Sequence, residues 1–488
     1  MFKKVCIGLL LILPITLIAQ EKHEGDIYDP SFGYQAPEDP LTRKNLKEWQ
    51  DLKFGLILHW GLYSEAGISE SWPLCGEPWT SRDTTMSYEN FKKWYWKLSE
   101  QFNPLYFSPE KWAVTSRTAG IKYLIFTTKH HDGFNMFDTK YSDFKITNGP
   151  FANNERADVT KHIFDAFRKE GIKVGVYFSK PDWYSQDFWW DRFPTANRNI
   201  NYNTYKFPER YQRYRDFTYN QLTELMNNYG KIDILWLDGG WIHEPHEGEM
   251  TDPIAPHRNG VARYPAYPQA VDMPKIAEMA RKAQPGILLV DRTIQGPYEN
   301  YQTPEQHIPE TQMNIPWEAC ITLTSDWSYR KKEHEKVKSS AWIIHTLAEI
   351  VAKGGNFLMG FGPTPLGEFP EEVEQPLYEA GKWLEQNGEA IYGTTITEHY
   401  NDGATWFTQS KDGETIYAIV CIKEGEKTPP TLSWRGNVPD KKAKIISLAT
   451  NKPVKWHKQE DNVIITLPAS LSGKQTQALA FAYQTSKK

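Results

Sequence analysis

At 488 residues the chain has room for a large core and a second domain, since single cores rarely grow beyond about 250–300 residues. A net charge of -5 implies no surface for nucleic acid or another polyanion. Aromatics are the anomaly: 19 Trp, 26 Tyr and 23 Phe are more rings than one core needs. Carbohydrate sites use such rings, because the C–H face of a sugar packs on them while its hydroxyls hydrogen-bond around the edge. A generously aromatic core would account for them as well.

The first residues predict export. Lys3 and Lys4 form a basic start, 5–18 is an apolar run too short to span a bilayer comfortably, and Ala19 offers a small residue for cleavage. A secretory leader over 1–19 follows, and with it a periplasmic or extracellular location. Cys6 stands near the start of the run, which argues against a lipid-anchored cysteine, and no other stretch is long and apolar enough to span a membrane. No membrane anchor is therefore expected. The remaining Cys75, Cys320 and Cys421 are odd in number and lack metal-ligand spacing, so at most one disulfide fits.

Residues 20–50 are polar and proline-bearing and read as an extended lead-in. The run Phe54-Gly-Leu-Ile-Leu-His59-Trp60-Gly61 reads as a strand ending in histidine and tryptophan. A helix over 108–119, with Pro109 in its first turn and Gly120 stopping it, leads to a second strand from Tyr123 that ends in His130 and His131. A helix over 158–170 feeds a strand over 173–179, which carries Tyr177 and leads into Trp183. A helix over 211–229 then ends at Gly230.

The stretch Lys231-Ile-Asp-Ile-Leu-Trp-Leu-Asp238-Gly-Gly-Trp241 reads as a buried strand over 232–237 that stops at a carboxylate. Side chains alternate along a strand, so Ile232, Ile234, Trp236 and Asp238 share a face. Asp238 thus lies at the carboxyl end of a core strand, where parallel barrels carry their chemistry. A strand-end aspartate can also cap the next turn. The pattern continues with a helix over 274–283, a strand over 287–291 followed by Arg292, a long loop to Glu310, a helix over 340–353, a last strand over 354–363 and a helix over 370–387.

These alternating units with one polar and aromatic rim predict a (β/α)8 TIM-like barrel over 20–394. A doubly wound sheet is the competing arrangement; so many repeats with a single rim favour closure. From about 395 onward, short alternating strands at Thr405, Thr415, Ala443 and Asn462 predict a C-terminal β-sandwich over 395–488.

The strand ends assemble His59, Trp60, His130, His131, Tyr177, Trp183, Trp236, Asp238 and Arg292. Three histidines and an aspartate could ligate zinc, but adjacent His130 and His131 on one strand point apart unless the strand has already ended there, and no HxH or HExxH spacing is present. No Gly-x-Ser-x-Gly elbow exists for a serine nucleophile. An aspartate among aromatics and histidines suits glycoside hydrolysis, where an ionised carboxylate attacks and a protonated carboxyl assists the leaving oxygen.

The runs Phe54-Gly-Leu-Ile-Leu-His-Trp-Gly61, Thr128-Lys-His-His-Asp-Gly-Phe134 with Met136-Phe-Asp138, Leu235-Trp-Leu-Asp238 and Lys353-Gly-Gly-Asn356 together resemble glycoside hydrolase family 29, the α-L-fucosidases. The resemblance runs from about 45 to about 395, and the trailing sandwich is similar to that family's C-terminal domain. It implies a retaining exo-α-L-fucosidase acting on fucosylated glycans or oligosaccharides, with no metal or organic cofactor. It puts Asp238 at the nucleophile position, His59, His130 and His131 at fucose hydroxyls, and Trp236 in the subsite. Arg292 falls near the nucleophile and ring oxygen, and Trp327 against the fucose methyl. The acidic and aromatic pair after the first strand is assigned to Glu70 and Trp72, in preference to Glu77 and Trp79. The acid/base is assigned to Glu305, with Glu299 and Glu318 in reserve. An α-L-galactosidase and a non-catalytic sugar-binding protein are the alternatives.

Overall fold

The computed structural model describes residues 34–77, 80–195, 197–243, 267–331 and 336–485. The leader expected over 1–19 lies outside them, as do Trp79 and most of the segment between Ile242 and Pro268.

The N-terminal domain runs α1 (Pro40–Leu52), β1 (Phe54–Leu58), α2 (Leu62–Ala66), α3 (Tyr88–Lys97), α4 (Pro109–Thr118), β2 (Tyr123–Lys129), α5 (Val159–Lys169) and β3 (Lys173–Ser179). It continues α6 (Pro208–Asn228), β4 (Ile234–Asp238), α7 (Met273–Ala283), β5 (Leu288–Asp291), β6 (Glu318–Thr322), α8 (Ser340–Ala352), β7 (Asn356–Phe361) and α9 (Glu371–Asn387). The strands form one parallel sheet in the order β5-β4-β3-β2-β1-β7-β6, a TIM-like barrel wall with helices outside it.

Among the described residues seven of its strands are regular, where the sequence predicts eight. Residues 299–306 fill the remaining place without forming a strand. On one side Asn300 N–H donates to the Leu289 carbonyl at 2.8 Å; on the other, Glu318 N–H donates to Gln302 at 2.8 Å and Cys320 N–H to Pro304 at 2.9 Å. The apparent loop after β5 is therefore part of the wall. It carries Pro304 and lacks an apolar run, so no strand signal marks it. Glu305 is fixed by this arrangement, opposite Cys320 of β6.

Two layers of core follow from strand alternation. Ile57, Ile125, Tyr177, Ile234, Trp236, Val290 and Leu358 point into the barrel, and a larger cluster fills the space between strands and helices. Ile232 joins the outer cluster rather than sharing the face of Trp236, because the strand begins only at Ile234.

The lead-in expected before β1 is a helix for its last third. Asp39 caps α1 by accepting from Thr42 N–H at 2.6 Å, Pro40 occupies the first turn, and Thr42, Leu46 and Trp49 are buried at helical spacing. Trp49 stacks on Tyr301 with ring centroids 3.9 Å apart, closing the barrel where its strands begin.

The C-terminal domain is a single antiparallel sheet, folded as a sandwich. It comprises β8 (Thr395–Asp402), β9 (Thr405–Gln409), β10 (Thr415–Cys421), β11 (Thr431–Arg435), β12 (Ile445–Ser447), β13 (Lys452–Gln459), β14 (Asn462–Thr466) and β15 (Ala478–Gln484). One end of β13 pairs with β12 and the other with β14, which carries the sheet over its own core of Phe407, Trp434, Ile465 and Phe481. The opposite face of β10 and β15, through Tyr417, Ile419, Ala478 and Ala480, packs into the outer core of the barrel. No helix among the described residues is long and apolar enough to cross a membrane, and Cys75, Cys320 and Cys421 are unpaired thiols.

Candidate active site

The carboxyl ends of the strands open into a cavity of about 400 Å³, the size of site a small sugar fills. His59, Glu70, Trp72, His130, Tyr177, Trp236, Asp238, Arg292, Glu305 and Trp327 all line it. His131 lies just behind, fully buried, with Nε2 3.7 Å from Asp238 Oδ2. Trp60 turns the other way: it is buried in the outer core against Trp112, and its indole N–H donates to the Thr364 carbonyl at 2.9 Å.

Backbone geometry explains how adjacent histidines both reach the site. β2 ends at Lys129, so strand alternation no longer applies to His130 and His131, whose ring centroids are 4.2 Å apart. Their expected divergence, used above against a metal, does not hold. His130, His131 and Asp238 offer ligand atoms within 4.8 Å of one another. Ser71 Oγ meets His130 Nδ1 at 2.6 Å and both oxygens of Asp238 are engaged, whereas neither ring nitrogen of His131 has a hydrogen-bond partner among the described residues.

Asp238 follows the last apolar residue of β4, and Gly239 then turns the chain at a φ of 97°, where a side chain would be strained. Tyr177 O–H donates to Asp238 Oδ2 at 2.7 Å, and Arg292 Nη1 donates to Oδ1 at 3.2 Å. The second terminal nitrogen of Arg292 bonds Glu305 Oε2, so one guanidinium holds both carboxylates. Trp327 Nε1 donates to the other Glu305 oxygen at 3.2 Å, and the Arg292 guanidinium lies 4.7 Å from the Trp236 ring. Trp327 in turn lies on Gly360 of β7, where an added Cβ would come within 2.4 Å of the indole.

Charge is unevenly distributed. Burial alone would raise the Asp238 carboxyl, but the Arg292 charge, His131, the Tyr177 hydroxyl and the Gly239 N–H outweigh it and hold the group well below the usual carboxylate range. Burial, reinforced by their mutual proximity, holds His59 and His131 well below the ordinary imidazole value, and burial pushes His130 down to about 3. All three are neutral imidazoles at physiological pH. Both ring nitrogens of His131 and Nδ1 of His59 are buried without a hydrogen-bond partner among the described residues, a state that a bound polar ligand relieves.

Glu70 is buried, and desolvation with the nearby Asp326 pushes its carboxyl up to about 8. Its backbone sits at a φ of 27°, held by Ser328, whose N–H donates to Glu70 Oε1 at 2.7 Å while its hydroxyl accepts from Glu70 N–H at 3.2 Å. Trp72 meets His131 edge-on at 4.9 Å. The competing Glu77 does not line the cavity; it pairs with Arg198 at 2.8 Å.

The reserve carboxylates have structural surroundings. Glu299 accepts from the N–H groups of Thr293 and Gln295, both at positive φ, and so braces a turn. Glu318 is buried inside the barrel and accepts from Tyr123 O–H at 2.6 Å. Neither lines the cavity.

The cavity also holds residues to which the sequence assigns no individual role: Trp241, Gln306 and Cys320, with Arg198 and His243 from the loops 183–205 and 242–268 expected to set the outer subsites. Trp241 stands three residues after Asp238, past two glycines, and that proximity was its one available signal. Arg198 belongs to the long connection between β3 and α6, which has no periodicity to place it.

Known proteins resemble this chain over most of its length. The tissue α-L-fucosidase of Bos taurus is 27% identical over 470 residues, covering 92% of this chain and 91% of the relative. The solved structure of α-L-fucosidase isoenzyme 1 from Paenibacillus thiaminolyticus aligns with a TM-score of 0.71 at 27% identity, over 92% of this chain and 100% of that one. A Thermotoga maritima α-fucosidase, solved in complex with a mechanism-based inhibitor, aligns with a TM-score of 0.67 at 25% identity, over 93% and 100%. With the Alpha-L-fucosidase family model matching residues 24–389, three quarters of its length, the chain belongs to the α-L-fucosidase family.

Proposed function

We propose that Asp238 and Glu305 carry the two half-reactions of retaining hydrolysis, releasing terminal α-L-fucose from glycans or oligosaccharides. The observation that carries this assignment is the single Arg292 guanidinium bonded to both carboxylates at the mouth of the barrel. It places them on one site, with Asp238 held ionised. In the first step an Asp238 oxygen bonds to the anomeric carbon as the bond to the aglycone oxygen breaks, and Glu305 gives that oxygen its proton. In the second, Glu305 takes a proton from water, whose oxygen displaces Asp238 from the same carbon and restores the configuration.

The neutral His59, His130 and His131 offer donors and acceptors to fucose hydroxyls without adding charge near the nucleophile. Glu70 and Trp72 extend that wall, and Tyr177 and Trp236 form its floor. Trp327 presents an apolar face suited to the fucose methyl, which disfavours L-galactose with its extra hydroxyl, and an engaged nucleophile disfavours a purely binding role.

Trapping with 2-fluoro-fucosyl fluoride and mapping the labelled peptide tests the assignment. Label on Asp238 supports it; turnover of an aryl α-L-fucoside with label on another residue overturns it. The basic start, apolar run and Ala19 also support export of the mature enzyme to the periplasm or beyond. An N-terminus at Gln20 in protein from that fraction would support this, and an intact Met1 in cytosolic enzyme would overturn it.

A further inference from the structure

Arg198 is built into the cavity wall with unusual care for a loop residue. Its carbonyl accepts from two indoles, Trp183 Nε1 at 3.2 Å and Trp241 Nε1 at 3.3 Å. Its Nε donates to Oε1 of Glu77 at 2.8 Å, and Glu77 is only 4% exposed. The guanidinium lies 5.1 Å from the Trp241 ring and 5.8 Å from that of Trp72. Backbone and side chain are thus both tethered, the condition for a pre-organised recognition group. Yet among the described residues no hydrogen-bond partner meets the two terminal nitrogens, and the residue lines the cavity.

Its contacts reach the nucleophile position only through intervening rings. Asp238 touches His131, His131 packs on Trp72 and Trp241 at 4.9 and 5.2 Å, and Arg198 lies beyond those two rings. A fucosyl unit seated over Asp238 occupies the inner layer, and the outer layer is left to whatever the fucose is attached to. The chemistry of the pair selects a neutral group. Glu77 offsets the positive charge of Arg198, and Asp238 and Glu305 repel an anion, while the terminal N–H groups remain donors of fixed, forked geometry.

We propose that Arg198 is a specificity-determining contact for the aglycone, donating through its terminal nitrogens to hydroxyl oxygens of the neutral sugar that carries the fucose. The inference rests on Asp238 as the nucleophile, which sets the inner and outer layers.

The test compares 4-nitrophenyl α-L-fucoside, whose aglycone has no hydroxyl to read, with fucosyl-galactose and fucosyl-N-acetylglucosamine. Arg198→Met should lower the ratio of kcat/KM for the better disaccharide over the aryl fucoside by roughly 10- to 100-fold, the worth of a hydrogen bond from a charged donor. Arg198→Lys keeps the charge but not the fork, and its ratio should also fall, which covers the case of a poorly folding Met variant. Equal losses on both classes, or an unchanged ratio, overturn the aglycone contact. A parent enzyme inactive on the aryl fucoside and on both disaccharides would instead overturn the catalytic reading itself, so the two failures are separable.

Discussion

Two carboxylates stand inside the same barrel, Glu318 fully buried and Asp238 partly so, each accepting from a tyrosine. At the closed end Glu318 accepts from Tyr123 at 2.6 Å; at the open end Asp238 accepts from Tyr177 at 2.7 Å. Burial raises both, and at Glu318 it prevails, pushing that carboxyl up to about 8. At Asp238 the Arg292 ion pair reverses the direction. Among the described residues no cation pairs with Glu318. Hydrogen bonding to neighbouring side chains does not outweigh burial at Glu318, whereas at Asp238 the adjacent guanidinium leads the groups that do. The same interior yields a neutral structural acid at one end and a charged carboxylate at the other.

The sharpest way to break this contrast is to neutralise each carboxylate in turn. Asp238→Asn should lower kcat on an aryl fucoside by roughly a thousandfold or more, since the ester to the sugar no longer forms. Glu318→Gln should stay within about threefold of the parent, because its partner is a structural tyrosine. Comparable losses in the two variants would erase the distinction.

Next in size is Glu305→Gln. It should lower kcat/KM by about 10²–10⁴ for disaccharides, whose leaving oxygens need a proton, and far less for activated aryl fucosides. Equal loss on both substrate types would move the acid/base role elsewhere.

The role given to Arg292 is sharpened by Arg292→Met. Removing the cation leaves desolvation as the leading influence on Asp238, so the acidic limb of the kcat/KM profile should move to higher pH by about one to three units. A lower rate with an unmoved limb would show that the guanidinium binds substrate without setting the charge.

The smallest effect concerns stability. Glu318 holds its proton in the folded state up to about 8, whereas an unfolded glutamate loses it near about 4.3. Between those values the folded state binds the extra proton, so this group makes the fold less stable as pH rises. The melting temperature of Glu318→Gln relative to the parent should therefore climb between pH 5 and pH 8, by roughly a few degrees. A constant difference would mean Glu318 is ionised in the fold.

Much of the site was legible because barrel strands announce their ends. The apolar runs before His59, His130, Asp238 and Arg292 each stop at a polar residue, and those residues converge as the repeat requires. Glu305 followed from family resemblance, not from pattern; the segment that carries it makes wall contacts on both sides with no strand periodicity. The exception allowed for His130 and His131 is the one that applies, because one residue decides whether alternation holds and β2 stops at Lys129. The helical α1 was hidden in a polar stretch whose buried stripe is only Thr42, Leu46 and Trp49.

Local order in the chain thus determined the repeat, the polarity of the rim and the residue types available there, because hydrophobic periodicity and strand termination are properties of consecutive residues. Tertiary structure alone decided which groups are charged and which donors remain open. Arg292 meets Asp238 and Glu305 across 54 and 13 residues, and Arg198 meets Glu77 across 121. Those pairings set the local electrostatics of the site, and electrostatic energy depends on distance through space, which the linear sequence does not display.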